Sequence, residues 1–152
     1  MPAPLMLGCD PGVVGGLALV YDDGTAEAYR MPETESDLID LCRELASRWS
    51  GHGTPRATVE FVRSSPQMGV VSAFTFGRGY GSLRTALIAA GFSLTEMTPS
   101  KWQRSLGMLA RGGKKALRAR AQEMFPVVRG DSSRVTAWSA DALLIARSGS
   151  GR

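Results

Sequence analysis

Short apolar runs punctuated by turn residues alternate along this chain with longer stretches of three- and four-residue apolar spacing, the pattern of strands and amphipathic helices in one α/β domain. Pro4 to Asp10 (PLMLGCD) ends in a carboxylate and meets Pro11 and Gly12, which predicts a buried strand with Asp10 at its carboxyl end. Gly15 to Tyr21 and Thr25 to Met31 flank Asp22-Asp23-Gly24, a hairpin signal, so the first three strands form an antiparallel meander. Leu38, Leu41, Cys42, Leu45 and Trp49 then stripe one side of a helix from Glu35 to Trp49, with Ser36 as its cap. Arg56 to Val62 (RATVEFV) is a β-rich run whose one carboxylate is Glu60; entered from a helix, it is predicted to run parallel to the first strand.

Phe76, Tyr80, Leu83 and Leu87 mark a second helix ending near Gly91. Gly77 and Gly81 lie inside it, and since each interior glycine costs about 1 kcal/mol relative to alanine, their presence predicts a close backbone approach. Phe92 to Met97 is a fifth strand, and Thr98-Pro99 opens a short helix through Lys101 and Trp102. Leu109 to Lys115, containing Arg111-Gly112-Gly113, is a flexible basic connection. The following helix carries an apolar stripe of Leu117, Ala121, Met124 and Phe125 and a basic edge of Lys114, Lys115 and Arg118. Val127 to Val135 looks irregular, and Ser139 caps a last helix running to Arg147 with Asp141 in its first turn. The prediction is a single domain over residues 1–147, a five-stranded mixed sheet flanked by helices, with 148–152 as a disordered tail.

Composition adds a partner class. Eighteen Lys and Arg against fourteen Asp and Glu give a net charge of +4, which suits a polyanion, although a solvated basic surface would read the same way. No apolar run reaches the roughly 18 residues of a membrane span and the N-terminus lacks a cleavable leader pattern, so no membrane partner and a cytoplasmic setting are expected. Cys9 and Cys42 stand alone in apolar stretches and read as buried thiols, and His52, between two glycines, reads as a surface turn residue.

Three carboxylates hold positions that bear on chemistry. Asp10 ends the first strand, Glu60 nears the end of the fourth, and Asp141 begins the last helix; if the first and fourth strands are neighbours, the three converge at one edge. Each has an ordinary explanation alone: a turn residue before Pro-Gly, a first-turn acid favoured by the helix dipole, and a strand acid with an Arg partner or an edge position. Together they offer the hard oxygen donors that Mg²⁺ takes, and metal-assisted phosphodiester hydrolysis needs such a set.

The strings LGCDPGVVGGLALV (residues 7–20), FTFGRGYGSL (74–83), TPSKWQRSLG (98–107) and ADALLIA (140–146), with Glu60 after an apolar strand, resemble RuvC-type Holliday junction resolvases, particularly their bacteriophage-like branch. The resemblance spans most of the chain in order. It implies an RNase H-like fold, a homodimer, and nicking of four-way or branched DNA dependent on Mg²⁺ or Mn²⁺, with two ions per active site. By motif match Asp10 bridges the metals, while Glu60 and Asp141 each hold one. Lys101 faces DNA by the same match, as do Lys114 and Lys115, with Arg118, Arg104, Arg111 and Arg78 as further basic candidates. Phe74 is a candidate for stacking on unpaired bases, and Phe76 and Tyr80 for burial in the core or a dimer interface. The family carries a fourth acid or a histidine three or four residues before its last Asp, where this sequence has Trp138 and Ala137. Asp131, Thr136 and Ser139 are the substitutes at hand. A junction-binding protein with weak or no cleavage and a YqgF-type RNA nuclease are the alternative readings; actin-like ATPases and sugar kinases share the Asp-Gly opening but need two such domains.

Overall fold

The computed structural model describes residues 1–108 and 113–151. The strands are β1 Pro4–Asp10, β2 Gly16–Tyr21, β3 Ala26–Arg30, β4 Arg56–Glu60, β5 Ser93–Met97 and β6 Val128–Gly130. The helices are α1 Glu35–Ser47, α2 Val70–Ala89, α3 Pro99–Ser105, α4 Gly113–Met124 and α5 Ala140–Ser150. The sheet runs β5-β4-β1-β2-β3-β6, with β1 to β3 an antiparallel meander and β4 and β5 parallel to β1 on the other side. The meander and the parallel β1–β4 pair follow the sequence pattern. The sheet has six strands rather than five, because Val128–Gly130, inside the stretch read as irregular, pairs parallel with β3. Three residues with one apolar side chain among them are too few for the alternation that marks a strand.

Side-chain size assigns each sheet face its cover. Large residues, Leu7, Leu17, Leu19 and Tyr21, point toward α1 and α2, where Leu38, Cys42, Leu45, Leu83 and Leu87 meet them. The opposite face sets small ones, Gly8, Ala18, Ala26 and Ala28, among Met6 and Val20, and takes α5 with α3 and α4 outside it. Residues 140–146 of α5 are buried without exception, as expected of a helix apolar on every side. At Gly8 the approach is tightest, since a β-carbon there would run into the Ala142 carbonyl and the Ala146 amide.

Local signals differ from expectation in four places. Thr34, not Ser36, caps α1 by accepting a hydrogen bond from the Asp37 amide at 3.1 Å. Ser139 holds the N-cap position of α5 but makes no cap bond, its hydroxyl being engaged with Thr136. Helix α2 starts at Val70, six residues before the first residue of the predicted stripe, and Gly77 and Gly81 face open space. Helix α5 runs past Arg147 to Ser150, so residues 148–150 of the stretch read as a disordered tail are helical, Gly149 resting against the Thr58 side chain of β4. Leu109, Arg111 and Gly112 of the basic connection, and Arg152, lie outside the described residues. Cys9 and Cys42 are buried free thiols and His52 is exposed in its turn, as the sequence predicts.

Because α5 rests on backbone at Gly8, Gly8→Ala is expected to cost about 3 kcal/mol through overpacking, read as a lowered urea midpoint at unchanged slope. A change in midpoint within error would mean the approach is softer than described.

Candidate active site

The register of the sheet places the carboxylates. Cys9 pairs with Val59, so Asp10 and Glu60 occupy the next step of two adjacent parallel strands, both at carboxyl ends. Alternation puts them on the face that carries Met6, Gly8 and Thr58, the face covered by α5. Asp141, in the first turn of α5 and buried, descends onto the same edge. The charges feel one another: Asp10 is pushed up to about 7, first by burial and then by Glu60 and Asp141, with Lys114 working the other way. Glu60 is also raised, by burial foremost and by Asp141, while a hydrogen bond from Trp102 pulls it down.

Two groups hold this assembly of like charges together. The indole Nε1 of Trp102, a fully buried residue on α3, donates to Glu60 Oε2 at 2.7 Å. The Lys114 ammonium, reaching in from the first turn of α4, pairs with Asp141 Oδ2. Neither role is among the expectations from sequence. The signal for the first lies in Glu60 itself, a buried strand acid that needs a donor, and Trp is the residue that supplies an N–H from inside an apolar cluster. The Lys114 pairing depends on how α4 docks, and no local pattern encodes that.

The position three residues before Asp141 is filled by apolar bulk. The Trp138 ring lies over Gly16, where a β-carbon would come within 3.0 Å of it, and the Arg30 guanidinium stacks on the ring 4.9 Å from its centre. Gly16 pairs with Asp10 on one side and Arg30 on the other, so Glu60, Asp10, Trp138 and Arg30 follow one another across the same edge of the sheet. Asp131 turns away, accepting from the Arg30 amide at 2.8 Å, and Ser139 is engaged with Thr136. These bonds remove Asp131 and Ser139 as stand-ins for a fourth acid.

Among the described residues no three acid, imidazole or thiol side chains close up into a metal-holding cluster. The three carboxylates lie close enough that Glu60 and Asp141 both raise Asp10, and Asp141 raises Glu60. As a donor set of hard oxygens at a partly open edge, they suit a divalent cation such as Mg²⁺ that keeps several waters.

The remaining basic candidates lie on the surface. Lys101 is exposed on α3 beside Trp102, and Arg104 follows one turn later. Lys115 and Arg118 are exposed on α4, off the buried Leu117 and Ala121. Arg78 forms an exposed pair with Glu35 at 3.4 Å, away from the carboxylates on the α1–α2 side of the sheet. Phe74 stands exposed, while Phe76 and Tyr80 are half-buried with their rings stacked 6.2 Å apart.

No protein-family model matches the chain, and no curated protein matches it in sequence. Solved structures do match in shape. Thermus thermophilus RuvC in complex with a Holliday junction substrate aligns at a TM-score of 0.65 and 16% identity, covering 96% of this chain and 92% of that one. A second structure of Thermus thermophilus RuvC aligns at 0.64 and 16% identity over 96% and 93%. The chain therefore has the fold of RuvC, in agreement with the motif resemblance.

The raised Asp10 sets a pH signature. Its folded value of about 7 exceeds the usual 3.8, so the protonated form favours the fold: that stability is full below 3.8 and is lost as pH rises through 7. Asp10→Asn, neutral at every pH, is expected to stabilise the metal-free chain at pH 8 by roughly 1–3 kcal/mol, the gain vanishing near pH 4. Thermal melts across that range measure it; a gain that does not depend on pH would contradict the assignment.

Proposed function

We propose that this chain is a metal-dependent endonuclease of the RuvC type, with an RNase H-like scaffold, that cuts four-way or branched DNA. The observation that carries the reading is the convergence of Asp10, Glu60 and Asp141 at one sheet edge, with Asp10 and Glu60 both raised by burial and by their acidic neighbours. Three acids crowded together at the rim of a fold cost stability, and a cation that neutralises them supplies a reason for their being there. The shared fold with a protein solved on a Holliday junction substrate supports the choice of DNA branch as substrate.

In this reading Asp10 and Glu60 hold the divalent ion, with Asp141 beside them. The ion, when bound, supplies Lewis-acid activation of the phosphodiester and a water of lowered pKa. The protein's own work is to fix the acids. Trp102 orients Glu60 by its hydrogen bond, and the packing of α5 sets Asp141 over the strand ends. Lys101, Lys115 and Arg118 offer exposed charge for the phosphates flanking the cut, and Phe74 offers an exposed ring for an unstacked base. A homodimer would bring two such sites to opposed strands, and the exposed apolar residues Val70, Val71 and Phe74 at the start of α2 supply a face for a second copy.

A second reading, junction binding with weak cleavage, is favoured by one observation, the Lys114 ammonium seated on Asp141. End-labelled four-way, three-way and linear DNA, incubated with the chain in Mg²⁺ and in Mn²⁺, separates the two. The expected result is cleavage of the four-way substrate over linear duplex, reduced by at least about 100-fold in Asp10→Asn and Glu60→Gln with gel-shift binding retained. Binding without cleavage in either metal would establish the second reading, and equal cleavage by Asp10→Asn would remove the carboxylates from the chemistry. Neutralising Lys101, Lys115 and Arg118 together should weaken binding and flatten its salt dependence by roughly one unit of slope for each phosphate no longer neutralised.

A further inference from the structure

The charge count at the carboxylate edge does not suit a pair of divalent ions. Asp10, Glu60 and Asp141 bring three negative charges when ionised, and Lys114, bound to one of them, brings one positive charge. Two negative charges are left, the complement of a single divalent cation; a second would leave the centre with an excess of positive charge as large as the deficit it met.

The distribution of oxygen donors favours the Asp10 and Glu60 side. Asp141 Oδ2 is taken by the Lys114 ammonium and Glu60 Oε2 accepts from the Trp102 indole. An ion placed on Asp141 would draw further donors from the residues one turn away on its helix face. Those residues are Ala137 and Trp138 on one side and Leu144 and Ile145 on the other, and none carries an oxygen donor on its side chain. Asp131 and Ser139 are bonded to Arg30 and Thr136, and the Thr136 hydroxyl, five residues before Asp141, is buried with no hydrogen-bond partner among the described residues. Among the described residues, Asp10 and Glu60, side by side at adjacent strand ends, keep three carboxylate oxygens without a hydrogen-bond or ion-pair partner, while Asp141 keeps only Oδ1.

We infer that this centre takes one divalent cation per chain, held by Asp10 and Glu60, and that the Lys114 ammonium stands on Asp141 in place of a second. Lys114 is thereby a positioning residue: it fixes the Asp141 carboxylate and balances its charge from a side chain that is 82% exposed, so its removal leaves the core untouched. The inference rests on the metal-dependent reading above and replaces the two-ion arrangement that the family resemblance implies.

Counting bound ions tests it without reference to cleavage. Metal-free chain, without DNA at pH 8, is titrated with Mn²⁺ while the free aqua ion is measured by electron paramagnetic resonance. The expected count is one Mn²⁺ per chain in the wild type and in Lys114→Arg, and none in Asp10→Asn. Lys114→Ala, shown by its thermal melt to be folded, frees Asp141 Oδ2 and is expected to take up a second ion, held more weakly than the first because water supplies most of its shell, with the broadened spectrum of two coupled Mn²⁺ centres. Two ions bound at this edge in the wild type would overturn the inference and leave the metal-dependent reading standing, as would a Lys114→Ala that stays at one. No ion in the wild type would overturn both.

Discussion

The closeness with which α5 lies on β1 governs the rest of the molecule. A helix usually keeps its distance from a sheet because side chains stand between them; here Gly8 on the strand and Ala142 and Ala146 on the helix leave backbone against backbone. That packing fixes both the height of the helix and its rotation, since only its small-residue side fits over Gly8. Asp141, one residue before Ala142, is carried down with it and arrives beside the ends of β1 and β4. A larger residue at any of these positions would lift the helix, and the third carboxylate would leave the first two.

The stability of the fold and the chemistry at its edge pull against each other. Burial strips water from these acids and their like charges repel, which is why Asp10 is driven toward neutrality and why Glu60 rises with it. The chain offsets part of this with an indole N–H and one ammonium. Whatever neutralises the edge also stabilises the helix that helps form it. Trp138 and Arg30 close the far side of the edge with a stacked pair, trading an oxygen donor for apolar packing.

Much of this is legible in the sequence, and the part that is not has a physical cause. Asp10 and Glu60 can be placed at strand ends because an apolar run stopped by Pro-Gly and a β-rich run with one acid are local signals. Their convergence needs only that β1 and β4 be neighbours, which the helix between them makes natural. Asp141 is visible as a first-turn acid, yet its burial is visible only through the unbroken apolar run that follows it. The strand β6 and the helical end of α5 escape a sequence reading for one shared reason. Each is held by partners distant in sequence: Ala28 for Gly130, and Thr58 for Gly149. The same holds for Lys114, whose basic neighbourhood points to DNA and whose ammonium instead meets an acid 27 residues away. An interaction across the fold leaves no periodicity in the chain that makes it.

The central claim is that Asp10 and Glu60 are metal ligands at the edge set by α5. Anomalous scattering from crystals grown with Mn²⁺, collected on either side of the manganese absorption edge, tests it most directly. The account predicts a difference peak within about 2.5 Å of carboxylate oxygens of both Asp10 and Glu60, absent in crystals of Asp10→Asn. A peak bound elsewhere on the chain, with none against Asp10 and Glu60, would contradict it.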